Sequence, residues 1–260
     1  MLNESLTALV PHLVAVALCA SRLIPIAFLC PLLGGQAAPT SVKLALVLAL
    51  SLFLHLEAGV SLPQLVETPF ELGALVVREF VMGSVMGLVA ALPFDSARMA
   101  GRMIDLVRGT SAEASLPVAG SRESATGEGL YNLLLALVVS GSAFPLVLSG
   151  LIRGFGVVRL GVFVPTEVAV VRVATWVGAA MTTGLAVGAP VAAAVLAVDC
   201  FLGMASRVAA QVDLKELGAP LRILGGGAVL WLGVGVMCER LLAGVMASGE
   251  ALAWLGEKVQ

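Results

Sequence analysis

The sequence predicts an all-α, membrane-embedded subunit, and three observations carry that expectation. Apolar residues fill 59% of the 260 positions and charged residues only 12%, about half the charge of a soluble domain. The mean hydropathy is +1.04. The apolar residues also run together, in stretches comparable to the ~20 residues that cross a hydrocarbon core. Too little polar surface remains to cover a water-soluble protein of this length.

Six apolar segments follow in order. Leu6–Leu33 is the first, interrupted by Pro11, Arg22, Pro25 and Pro31; Pro25 predicts a kink or a break. The start, MLNESL, holds Glu4 and no basic residue, which argues for a membrane segment over a cleaved signal peptide. GGQAAPT, 34–40, reads as a turn, and Val42–Leu54 is short for a full crossing. Leu72–Leu92 is closed by Pro93. Leu133–Ile152, Ala174–Val198 (with Pro190 inside) and Ile223–Val245 complete the set, with 201–222 between the last two as an amphipathic and turn region. Gly83 and Gly87, and Gly184 and Gly188, lie four apart and predict close helix packing, within the chain or against another subunit.

The chain is expected to form one domain over 1–260, with 1–92 as the first apolar set, 93–129 as a polar interval and 130–260 as the second set. That interval organises the rest. Asp95, Arg98, Arg102, Asp105 and Arg108 follow at steps of 3, 4, 3 and 3, so they share one helical stripe. From Gly109 to Gly129 the chain is nearly all small or polar, with Ser111 and Gly120 inside and one apolar cluster, Leu116-Pro117-Val118. Its glycines and proline oppose a helix, and a polar loop of about 20 residues is usually functional or disordered.

Several function classes drop out. A net charge of −2 and one tyrosine give no basic patch and no base-stacking platform, so no nucleic-acid partner is expected. Cys19, Cys30, Cys200 and Cys238 lie in apolar runs without CxxC spacing, so they read as small buried hydrophobes with no metal or disulfide role. His12 and His55 are isolated from any acid–nucleophile pattern, and HExxH, GxxxxGK[ST] and GxSxG are missing. No enzyme, cofactor or metal is expected. Ser140 and Ser149 sit in an apolar run, where a serine usually bonds a backbone carbonyl. Gly225–Gly227 lacks the strand and the Lys or Ser of a phosphate loop, and reads as close packing at a helix start. Ionisable residues within apolar runs are functional candidates by default: Arg22, Arg78, Glu79, Asp199 and Arg207. Arg78 and Glu79 are explained by placement at the membrane interface. Asp199 and Arg207, eight apart, could flank a polar seam. Loop charges do not alternate as a simple weave requires: 55–71 lacks Lys and Arg, but both the loop after Pro93 and that around Arg153, Arg159 and Arg172 are basic.

The stretch Arg78–Gly120, REFVMGSVMGLVAALPFDSARMAGRMIDLVRGTSAEASLPVAG, resembles the T subunit of the type III secretion export apparatus, the family of flagellar FliR and injectisome SctT. The resemblance rests on Arg78-Glu79, Gly83 and Gly87, Pro93-Phe94, Asp105–Gly109 and Ser115-Leu116-Pro117. It continues in SGSAF, 140–144, and in 206–222, where Arg207, Gln211, Gly218 and Pro220 fit; Ala210 stands where the family has Pro. Asp-x-x-Arg-Gly and the Ala-Phe step lean toward the injectisome branch. The resemblance implies a bacterial inner-membrane subunit that joins R and S subunits in a pore for unfolded secretion substrates, beside the U-type switch subunit and the export gate ring. It implies that the loop 109–129 helps to plug the pore. Leu116, Pro117 and Val118 would then be the occluding tip, with Gly109 and Gly129 as hinges. The stripe Arg98, Arg102, Asp105 and Arg108 would hold the loop through ion pairs, or else be a solvated face. Glu79 and Arg207 would hold inter-helix contacts. The rival reading is a small secondary transporter, resting on Asp199, Arg207 and segments broken by Pro25 and Pro190.

Overall fold

A computed structural model of the chain describes residues 2–35, 38–57, 59–60, 68–110, 113–115, 122–141, 143–157, 160–161, 167–208 and 214–257. Among them are seven α-helices: α1 (Leu2–Leu29), α2 (Thr40–Leu56), α3 (Pro69–Arg108), α4 (Ala125–Ser140), α5 (Ala143–Val157), α6 (Glu167–Val208) and α7 (Leu214–Glu257). A 3-10 turn, Pro31–Leu33, follows α1, and two three-residue strands, β1 (Glu113–Ser115) and β2 (Arg122–Ser124), lie between α3 and α4. The protein is all-α in class and multi-pass. Four helices are long and apolar enough to cross a membrane, Leu9–Leu29, Pro69–Arg108, Glu167–Arg207 and Gly218–Leu255, and α4 with α5 would make a fifth as one broken span. At 17 residues α2 is shorter than a crossing.

Prolines interrupt less than their positions suggest. Pro11 and Pro25 lie inside α1, Pro93 inside α3 and Pro190 inside α6. An interior proline costs about 3 kcal/mol, so burial has to offset it. At Pro93 the flanking Val89 and Phe94 are each 1% exposed, and α3 runs on for 40 residues instead of closing at Leu92. The apolar run 133–152 divides at 141–142 between α4 and α5. Most of 201–222 belongs to α6 and α7, and Gly225–Gly227 falls inside α7, not at its start.

The chain divides into two units. The first comprises Met1–Leu92, Val139–Val177 and Val245–Gln260; the second comprises Pro93–Val138 and Gly178–Gly244. The boundaries between them fall at 92/93, 138/139, 177/178 and 244/245.

In the first unit, α1 lies against the start of α3 through bare glycine backbone. A Cβ at Gly83 would overlap the Arg22 carbonyl, and one at Gly87 would stand 3.0 Å from Ile26 Cα. Gly150 meets the Gly249 carbonyl in the same way. Leu18 and Ile26 of α1 and Met82 and Met86 of α3 have no exposed surface. Gly83→Ala is therefore expected to destabilise by about 1–3 kcal/mol through overpacking, and Gly87→Ala by less. Thermal midpoints of the two detergent-purified variants check that order; equal midpoints would contradict it. Cys19, Cys30 and Cys238 are buried free thiols, but Cys200 is exposed, contrary to its reading as a buried hydrophobe. Burial pushes the Cys30 thiol, just beyond α1, up to about 11.

In the second unit, the later half of α3 is the central element. Phe94, Ala97, Ala100 and Ile104 form its buried face. Gly184 and Gly188 of α6 pack on it, where added Cβ atoms would stand 2.9 Å from the Ser96 carbonyl and 3.2 Å from the Ala100 carbonyl. The Ser96 hydroxyl donates to the Ala180 carbonyl at 2.9 Å. On α4, Gly127 meets Gly101 so closely that a Cβ at Gly101 would overlap it. Both glycine pairs thus serve packing inside the chain.

Candidate functional site: a carboxylate clasp at the base of a loop

The loop expected at 109–129 is framed at both ends by one side chain, Asp105. Helix α3 ends in a Schellman turn. Gly109, at φ +70, takes the left-handed conformation that glycine adopts without strain. Its N–H donates to the Leu106 carbonyl at 3.2 Å, and the Thr110 N–H donates to the Asp105 carbonyl at 3.0 Å. The Asp105 side chain sits in the last turn of α3 and is 7% exposed.

Its carboxylate reaches both ends of the loop. From the entry side the Thr110 hydroxyl donates to Oδ1 at 3.2 Å. From the exit side the Ser124 hydroxyl donates to Oδ2 at 2.6 Å, the Thr126 N–H to Oδ2 at 3.0 Å and the Thr126 hydroxyl to Oδ1 at 2.5 Å. Hydrogen bonds to a charged group are the stronger kind. The carboxylate also faces the first turn of α4, where the helix dipole favours negative charge.

Helix α4 begins earlier than composition suggests for the same reason. Ser124 caps it, its hydroxyl oxygen accepting the Gly127 N–H at 3.0 Å. That cap and Asp105 together satisfy N–H groups that glycine-rich sequence would otherwise leave loose. The loop is therefore closed by Ser124, and Gly129 lies exposed inside α4 instead of at a hinge. Strands β1 and β2 pair antiparallel, Glu113 opposite Ser124 and Ser115 opposite Arg122. Ser111, Leu116, Pro117, Val118 and Gly120 lie outside the described residues.

Two arginines of the charged stripe reach other elements. Arg98 pairs with Glu128 of α4 at 2.7 Å, and its guanidinium lies 3.9 Å from the centre of the Tyr131 ring. Arg108 donates from Nη2 to the Ile223 carbonyl of α7 at 3.1 Å. Its stem passes where a Cβ on Gly226 would be, 2.7 Å from Arg108 Cγ, so that glycine makes a slot for it. Among the described residues, Arg108 Nε is buried without a hydrogen-bond partner. Arg102 is exposed.

A second charged cluster lies in the first unit. Arg22 and Glu79, both 0% exposed, form an ion pair at 2.5 Å between α1 and α3. The Arg22 guanidinium stands 4.9 Å from the centre of the Phe155 ring, and the Gly161 N–H donates to Glu79 Oε1 at 2.7 Å. Glu79 is thus fully interior, not interfacial, while the adjacent Arg78 is exposed. Arg207 is exposed at the end of α6, Pro220 is exposed within α7, and Gln211 lies outside the described residues. Asp199 pairs with Arg222 of α7 at 3.1 Å, across the helical hairpin, and not with Arg207 on its own helix.

The two histidines, read as isolated from any acid–nucleophile pattern, contact one another. His12 Nδ1 is 2.9 Å from His55 Nε2, and His55 Nδ1 is 2.9 Å from the Val60 carbonyl. Among the described residues no group of three or more His, Cys, Asp or Glu is placed to hold a metal. Sequence reasoning missed Glu128 as the partner of Arg98. It also passed over Glu239 and Arg240, adjacent charges inside the apolar run 223–245 and both exposed; two ionisable residues in such a run were the available signal.

Residues 13–247 match the family described as bacterial export proteins, family 1. The flagellar biosynthetic protein FliR of Bacillus subtilis is 28% identical over 153 residues, covering 57% of this chain and 59% of that protein. FliR of Caulobacter vibrioides is 23% identical over 225 residues, covering 86% and 84%. The Yop proteins translocation protein T of Yersinia pestis is 31% identical over 125 residues, covering 48% and 46%. The matched stretch thus spans less than two thirds of the Bacillus and Yersinia proteins' own lengths.

Proposed function

This chain belongs to the bacterial export proteins, family 1, and from that premise we propose that it is a pore-forming subunit of the inner-membrane export gate of a type III protein secretion system. In this reading unfolded proteins pass a conduit that the chain helps to build with R and S subunits. The loop between α3 and α4 helps to close it. One observation carries the reading: the Asp105 carboxylate binds both ends of that loop, through Thr110 on one side and Ser124 and Thr126 on the other.

A loop closed at its base by one carboxylate can stay shut or be let go as a unit. Its sequence suits occlusion of a path for unfolded chains. Small residues surround a single apolar cluster at Leu116-Pro117-Val118, so no side-chain type is gripped strongly. The fold also leaves the base rigid, because Gly101 and Gly127 bring α3 and α4 into backbone contact. Backbone outside helices is tolerated at membrane depth only where protein buries it or water bathes it.

Deleting residues 111–121 while keeping Thr110, Ser124 and Thr126 is expected to make inverted membrane vesicles carrying the assembled apparatus leak ions. Decay of an imposed ion gradient measures it. A tight membrane with the apparatus fully assembled would refute the closing role.

A further inference from the structure

We infer that the face of α7 around Glu239 and Arg240 docks a membrane helix of another subunit that carries the opposite charges. The inference rests on the proposed role as one subunit of an assembly, and it names where a partner sits.

The candidate membrane stretch of α7, Gly218–Leu255, has 38 residues. A hydrocarbon core of about 30 Å takes up about 20 of them, and Glu239 and Arg240 lie near the middle of the 38, so nearly every such placement includes them. Both are exposed. Successive helical residues do not face each other, so the two cannot neutralise one another well. Facing lipid at this depth, each would be heavily penalised. Lipid is therefore not what covers them.

A water-lined wall fits no better. Trp231 is 77% exposed, Leu232 76% and Val236 58%, all within three turns of the charges. Large apolar side chains around an Arg are the composition of a protein interface centre, where aromatics and Arg are enriched. Gly235 adds bare backbone, with nothing within 4 Å of where a Cβ would be, and such positions let another helix come close. Over its 18 most apolar residues α7 is also the least covered of the four long helices, with 17% of them buried against 44% for α1 and α3. An apolar face alone lets a partner slide and rotate. One Glu–Arg step fixes both depth and rotation, the best-attested use of a buried charge pair.

The test uses the whole apparatus, extracted from its own membrane in mild detergent. Glu239→Gln and Arg240→Gln are each expected to lower retention of the partner subunits by about thirtyfold. The amount of this chain in the membrane should stay constant, because both side chains are exposed in their own fold. Arg240→Lys, which keeps the charge, should retain more partner than Arg240→Gln. In a Cys200→Ser background, Ala243→Cys, one turn along the same exposed face, should resist a membrane-impermeant thiol reagent once assembled. Full retention by both Gln variants overturns the inference. So does rapid labelling at 243 in the assembled state, which would make the face a conduit wall. Failure of the closing role shows separately: the loop deletion would then stay tight while the Gln variants still shed their partners.

Discussion

Glu79→Ala is expected to destabilise the chain by about 3–5 kcal/mol and to remove most of it from the membrane. The reason is what remains behind. Arg22 would keep its charge at 0% exposure, against the Phe155 ring and among side chains such as Leu18, Ile26 and Met82, none of which has exposed surface. The Gly161 N–H would lose its acceptor as well. Arg22→Ala should cost a similar amount by stranding the carboxylate. A buried ion pair is not by itself a strong net stabiliser, because both charges must first leave water. The joint variant Arg22→Leu/Glu79→Leu should therefore lie closer to the wild type than either single change. It should not recover fully, since the Gly161 N–H stays unsatisfied. Steady-state membrane levels and thermal midpoints of the purified protein read all three. A joint variant as unstable as the sum of the singles would show that the pair's charge is not what ties α1 to α3.

That pair also shows how far the sequence could be read. Arg22 and Glu79 are both visible as charges in apolar runs, but nothing local says that residues 57 apart meet. Glu79 looks interfacial because Arg78 precedes it and the run begins nearby; only the packing of Gly83 and Gly87 on α1 draws it inward. The small-residue spacings were legible, because close approach of helices has few other solutions. The helix ends were not. Pro93 reads as a stop, yet the burial of Val89 and Phe94 carries α3 through it. The start of α4 depends on Ser124 and on a carboxylate 19 residues upstream, which no propensity contains. Asp199 found Arg222 and not Arg207 because a hairpin brings two helices side by side, whereas eight residues along one helix are about 12 Å apart.

The Asp105 contacts set the other large expectation. Asp105→Ala removes the acceptor for two hydroxyls of β2 and α4, for the Thr126 N–H and for Thr110. A hydrogen bond to a charged group contributes about 1.5–3 kcal/mol, and these contacts share one carboxylate, so their sum overstates its effect. Taking about 3 kcal/mol for the whole, the released loop would become about a hundredfold more populated. Vesicles with the assembled apparatus should then lose an imposed ion gradient faster than wild type. Secretion should also depend less on whatever normally opens the path. Asp105→Asn keeps one acceptor oxygen but no charge, and should fall between. Thr126→Val and Ser124→Ala each remove part of the exit side, while Thr110→Val removes the longest of the carboxylate's contacts, at 3.2 Å, with that hydroxyl's contact to the Asp105 carbonyl at 3.3 Å, and should leak least. A general loss of folding cannot mimic that ranking, because the ion pair of Arg98 with Glu128 and the Gly101–Gly127 contact hold α4 on α3 in every variant. If Asp105→Ala is as tight as wild type while the 111–121 deletion leaks, the loop occludes but its base is held elsewhere.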